Sequence, residues 1–190
     1  MSKLHGATPE RLSALSDGIF AVLITVLVLE LHPPALPTYK AFPLLWPRWL
    51  SYVVSYLFIA IVWVNHHYLM RFATQANARL PWVNFAHLFS MSLLPVATAW
   101  MAVSELAPQP VSFYAAVFFL ANATYMGLIR ELVDENAVLP RVLRIMRVRS
   151  VVTLCIFGTA AILALWYPLP ALGMCIGCLI ASLRPAPSQT

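Results

Sequence analysis

The sequence predicts an all-α integral membrane protein with six transmembrane helices, and three observations carry that prediction. Of its 190 residues, 61% are hydrophobic and only 10% charged, whereas soluble domains keep roughly a quarter of their residues charged. The apolar runs are long enough for a bilayer core of roughly 30 Å, which takes about 20 helical residues to cross. They also lack the in–out alternation of a barrel strand, so helices are the spanning form open to them.

Taken in order, the predicted spans are residues 12–31, 49–64, 81–103, 111–129, 151–167 and 169–183. The first lies within RLSALSDGIFAVLITVLVLEL and has no charge from Gly18 to Leu29, Thr25 being its sole polar side chain there. No small-residue cleavage motif follows it, and an acid sits inside it, so it reads as a retained helix rather than a signal peptide. The second span is short and closes on WVNHHYLMRF. The third contains Pro95, which predicts a kink. The fourth follows APQP, the fifth follows a run of arginines, and the sixth follows YPLP. These prolines read as helix ends, because Pro lacks the N–H donor and clashes with the preceding turn. In the sixth span, Gly173 and Gly177 have the spacing that permits close helix approach, and Cys175 and Cys178 read as packing residues. Residues 1–184 are expected to form one six-helix channel-sized domain, and residues 185–190 a disordered tail. The connections leave no room for a catalytic domain, so the chain is not expected to be an enzyme.

The basic residues orient the bundle. With the N-terminus in the cytoplasm, Lys3, Arg11, Arg71, Arg79, Arg130, Arg141, Arg144, Arg147, Arg149 and Arg184 all fall inside, against Lys40 and Arg48 outside. Lys and Arg resist translocation, so both termini are expected in the cytoplasm. The net charge of +5 therefore calls for no nucleic acid; the Arg141–Arg149 run is expected to meet anionic lipid headgroups of the bilayer.

On a helix, residues i, i+3, i+4 and i+7 share a face. From Val22 that face holds Thr25, Val26 and Leu29, with Gly18 one turn earlier. Asp17 points roughly 100° away from Gly18. An unpaired carboxylate at that depth costs about 2–3 kcal/mol, so Ser16 and Asp17 are expected to find donors on a neighbour. The end of the second span offers Trp63, Asn65, His66 and His67 at the same membrane side. Spacing alone leaves this network and simple interfacial capping of the helix N-terminus equally open.

Arg11, Ser16 and Asp17, together with W-x-N-H-H from Trp63 to His67 and LLP from Leu93 to Pro95, resemble the transmembrane protein 175 family of potassium channels. The family's mark is R-x-x-x-F-S-D at the start of the first helix; here Leu15 stands where Phe is usual. The resemblance covers most of the chain, with its specific motifs in the first two helices. It implies a passive potassium channel without a carbonyl filter, formed as a homotetramer whose first helices line the pore. In a prokaryote such a channel resides in the plasma (inner) membrane. It places the narrow point at Val22, followed by Val26 and Leu29, and matches Thr25 to a threonine tied to selectivity. The family usually carries bulkier Ile or Leu at the positions of Val22 and Val26, so width and selectivity depart from the pattern here; a weakly selective monovalent cation or proton conductance is the corresponding variant. It implies no cofactor and no resident metal, only K+ in transit.

The residues themselves agree in part. No T-V-G-Y-G stretch is present, and no acid lies on the Val22 face, so a hydrophobic constriction that gates by dewetting is what remains. An apolar stripe is by itself more often a packing face. Two alternatives come from other classes. His66, His67 and His87 could serve a haem-binding or redox membrane protein, although the first two face about 100° apart. A small secondary transporter would show inverted repeats and broken helices, for which Pro95 is the single sign.

Overall fold

The computed structural model describes residues 9–34, 38–73, 79–132 and 140–183. The predicted tail, Lys3, Arg184 and the side chain of Arg141 lie outside the described residues. Every regular element among the described residues is helical: α1 (Pro9–Leu29), a short 3-10 helix (Tyr39–Leu45), α2 (Trp46–Met70), α3 (Leu80–Ser92), α4 (Leu94–Val103), α5 (Pro108–Leu132), α6 (Pro140–Leu163) and α7 (Pro168–Ser182). Five segments are long and apolar enough to cross a membrane, namely Pro9–Leu29, Tyr39–Met70, Leu80–Val103, Pro108–Leu132 and Arg144–Leu163. Pro168–Ser182 is apolar but shorter. The chain is thus an integral, multi-pass membrane protein.

Proline does more here than the sequence reading allowed. Each of α1 to α7 has a Pro as its first or second residue: Pro9, Pro47, Pro81, Pro95, Pro108, Pro140 and Pro168. The first helical positions have no intrahelical acceptor for their N–H, so the missing donor costs nothing and the fixed φ favours the helix. Pro108 of APQP and Pro168 of YPLP, read as stops, are therefore starts. At Pro95 the expected kink is a full interruption: α3 ends at Ser92, Leu93 forms a turn, and α4 begins at Leu94. The fifth span, expected at residues 151–167, instead lies in a helix ending at Leu163, followed by a turn that leads into Pro168. The second extends beyond its predicted 49–64 to Met70, carrying the polar Asn65–His67 stretch inside the helix.

Two clusters fill the bundle. The larger centres on aromatic rings: Phe58 of α2 and Phe118 of α5 stack with centroids 3.8 Å apart and planes 6° from parallel, and Phe157 of α6 meets both edge-on. Beside it, Ser55 bonds both Thr98 (2.7 Å) and Tyr114 (2.8 Å), which satisfies three buried hydroxyls. The smaller cluster gathers Leu12 from the start of α1, Leu69 from the end of α2, Leu80 from the start of α3 and Leu128 from near the end of α5. Successive helices thus bring alternating ends to one side, as an up-and-down bundle requires. The Gly173/Gly177 spacing makes no close approach within the subunit, since a Cβ at either position would meet nothing within 4 Å.

The aromatic cluster yields a stability prediction. Phe118→Ala removes both the stack on Phe58 and the edge of Phe157, and no neighbour can fill the space without moving. It should lower unfolding free energy by about 3 kcal/mol, read as a fall in thermal midpoint of the detergent-solubilised protein. A variant as stable as the parent would contradict the packing described.

Candidate functional site

Among the described residues, one face of α1 is packed. Leu12, Ser16, Phe20, Leu23 and Leu27 are buried against α2, α3 and α4, at intervals of four, four, three and four residues. On the other side lie Val22 (58% exposed), Val26 (36%) and Leu29 (74%), with Thr25 also exposed. The four residues singled out from the sequence therefore form one uncovered stripe, about 10 Å long at the helical rise. The Thr25 hydroxyl donates to the Val22 carbonyl at 2.8 Å. Its hydrogen is thereby occupied, and its lone pairs are what it can present outward.

The packed face is held by polar contacts near the start of α1. Ser16 Oγ donates to the Leu12 carbonyl (2.9 Å) and accepts from Asn84 Nδ2 of α3 (2.9 Å). The Asn84 carbonyl oxygen in turn accepts from His66 Nε2 of α2 at 2.8 Å. All three side chains are fully buried. The His66 ring stacks on His87 of α3, with centroids 5.7 Å apart and planes 5° from parallel, and Phe20 of α1 lies against both imidazoles. His87 Nδ1 reaches Thr124 Oγ1 of α5 at 3.0 Å. One polar layer thus joins α1, α2, α3 and α5. At its edge, Trp63 Nε1 donates to Asp17 Oδ1 at 2.8 Å, and the Trp63 ring lies beside His67.

The structure brings together Ser16 with His66, and Asp17 with Trp63, but not all of the residues grouped from the sequence. Ser16 and His66 meet through Asn84, which sequence spacing does not pick out. A signal was present: Asn84 is an amide in the otherwise apolar stretch PWVNFA, and an amide in hydrocarbon needs a partner. Asn65 turns the other way, into a cleft lined by α2, α5, α6 and α7. Arg11 is exposed on the first turns of α1. The histidines raised for haem ligation do not converge on a slot: His66 and His87 lie face to face, and His67 is exposed on a different side of α2.

Fold and site together define a class: a helical membrane bundle whose first helix is anchored by polar bonds on one face and bare on the other. A family profile described as endosomal/lysosomal potassium channel TMEM175 matches residues 11–95. A potassium channel from a Chryseobacterium species is 30% identical over 169 residues, covering 87% of this chain and 88% of that one. The crystal structure of a lysosomal potassium-selective channel TMEM175 homolog from Chamaesiphon minutus superposes with a TM-score of 0.80 at 23% identity, covering 93% of this chain and 98% of that one. The human endosomal/lysosomal proton channel TMEM175 is 27% identical over 137 residues, but the match spans only 27% of its length. The chain belongs to the TMEM175 family.

The anchor orders two substitutions. Asn84→Ala leaves Ser16 and His66 without their shared partner in a buried layer and should cost about 2 kcal/mol. Trp63→Phe removes only a bond at the partly exposed edge and should cost about 1 kcal/mol. Thermal unfolding in detergent reads the order; equal losses, or a larger one for Trp63→Phe, would contradict the central place of Asn84.

Proposed function

We propose that the protein is a passive potassium channel, a homotetramer in a prokaryotic plasma membrane, with the α1 helices around the pore. The observation that carries this reading is the division of α1 into an anchored face and a bare stripe of Val22, Thr25, Val26 and Leu29. The proposal takes α1, α2, α3 with α4, α5, α6 and α7 as six spans, with both termini in the cytoplasm. The basic residues support that orientation, since all but Lys40 and Arg48 then lie inside. The relatives named as potassium channels support the activity.

In such an assembly, valines and leucines from each subunit close a ring that water wets poorly, and an ion crosses only when the ring widens or hydrates. The Thr25 lone pairs, turned outward because its hydrogen is held by Val22, replace part of the water shell of a passing cation. Charge does not set selectivity along the stripe, which carries no acid. The role of Ser16, Asp17, Trp63, Asn84 and His66 is positional: they fix which face of α1 the axis meets. Arg11 sits at the cytoplasmic entrance, and Asn65, turned into the α2–α7 cleft, takes no part in the pore.

The test is ion flux into liposomes holding purified protein. Potassium uptake should exceed that of empty vesicles and need no second gradient. Val22→Asn should raise uptake severalfold and reduce the preference for potassium over sodium, because a polar ring stays wet. A variant matching the parent in both rate and preference would remove Val22 from the pore, and absence of potassium flux in the parent would overturn the function itself.

A further inference from the structure

Apart from the α1 anchor, α2, α5, α6 and α7 enclose a cleft of about 110 Å³. For scale, an engineered apolar cavity of about 150 Å³ admits benzene. Its closed end is made of Phe58, Phe157 and Leu179, all buried. Towards the last turns of α2 and the first turns of α6 the lining becomes Asn65, Tyr68 and Arg149, each partly exposed. The wall therefore runs from hydrocarbon in the middle of the bundle to a guanidinium at its rim.

Arg149 donates to the Ser182 carbonyl at the end of α7, at 2.6 Å, which fixes the fork in place and, among the described residues, engages one of its N–H donors. Among the described residues no carboxylate pairs with it. Asn122 of α5, donating to the Ser150 carbonyl of α6 at 2.8 Å, ties the two walls together. Arg144 and Arg147, exposed on the preceding turns of α6, are not among the residues that line the cleft. A partly buried cation that meets no carboxylate among the described residues, set above an apolar slot, matches a ligand with an anion at one end and a hydrocarbon chain at the other.

We infer that this cleft binds an anionic phospholipid of the cytoplasmic leaflet, with its phosphate on Arg149 and one acyl chain reaching towards Phe58, Phe157 and Leu179. The leaflet rests on the orientation proposed above; the cleft, its charge and its polarity gradient do not. Guanidinium pairs with phosphate through parallel N–H bonds, and basic pockets between helices on the cytoplasmic side are where headgroups bind. A bound lipid would also join α6 and α7 to α2 and α5, acting as a wedge between the two pairs.

Native mass spectrometry of the purified, intact assembly tests this by titrating phosphatidylglycerol, phosphatidylcholine and oleate separately. Phosphatidylglycerol should remain bound to each subunit under conditions that strip phosphatidylcholine. Arg149→Gln should weaken its retention about tenfold, whereas Arg144→Gln, an equal loss of charge outside the cleft, should leave it unchanged. Thr153→Trp, which fills the cleft wall and keeps every charge, should also displace the lipid. Equal retention of the two phospholipids by the parent protein would overturn the inference. So would a loss in Arg144→Gln as large as in Arg149→Gln, which would mean diffuse surface attraction. Retention of oleate without phosphatidylglycerol would assign the cleft to a free fatty acid and overturn it likewise. If a variant fails to assemble, the parent's choice between phospholipids still decides. Because retention is read without ion flux, this inference and the channel reading fail independently.

Discussion

Everything in this bundle turns on what fixes the rotation of α1 about its own axis. In a bilayer, lipid tails solvate leucine as well as a neighbouring helix does, so apolar burial alone cannot choose which face packs. Hydrogen bonds can, because an unpaired polar group in hydrocarbon is costly. Ser16 bonded to Asn84, Asn84 bonded to His66, and Asp17 bonded to Trp63 set that angle. With it set, Phe20, Leu23 and Leu27 follow into the core, and Val22, Thr25, Val26 and Leu29 are left outside. The acid and the threonine of the first span thus stand apart, Asp17 bonded to Trp63 and Thr25 on the uncovered stripe.

The same economy of polar groups recurs away from α1. Ser55, Thr98 and Tyr114 satisfy one another towards the opposite end of the bundle, and between these two polar layers the Phe58, Phe118 and Phe157 rings supply dispersion contacts. Serines on exposed or half-buried turns, such as Ser92 and Ser182, bond carbonyls one turn back. These serine, threonine and tyrosine side chains are therefore tied either to a neighbouring helix or to their own backbone. Among the described residues Arg149 makes one such bond, to the Ser182 carbonyl, with a cleft beside it.

Much of this architecture was legible in the sequence, and the failures have identifiable physical causes. Hydropathy and length found the spans, because the bilayer imposes both. They missed the extension of α2 through Asn65 and His66, since one flank of a helix can bury polar side chains against a neighbour while hydropathy averages over all flanks. Prolines were visible as boundaries, but their side of the boundary depends on whether a carbonyl one turn back needs the missing N–H, which only the fold decides. Placing two helix ends at one membrane side made Trp63 one of several possible donors to Asp17, with simple capping equally open, and the structure selects Trp63. Asn84 was not legible, because a bridge among three helices leaves no spacing in any one of them. Asn65 was grouped with His66 by adjacency, yet neighbours on a helix point about 100° apart. The stripe from Val22 to Leu29 was legible from periodicity; what covers it was not, since a packing face and a pore face look alike in a single chain.

The central claim is that copies of α1 surround a common axis with that stripe turned inward. Electron cryo-microscopy of the assembled protein in lipid nanodiscs with potassium tests it most directly. The account requires a fourfold arrangement in which Val22, Val26 and Leu29 converge on the symmetry axis, with Ser16 and Asp17 turned outward onto α2 and α3. An assembly with those side chains on its lipid-facing perimeter, or with another helix at its centre, would contradict it.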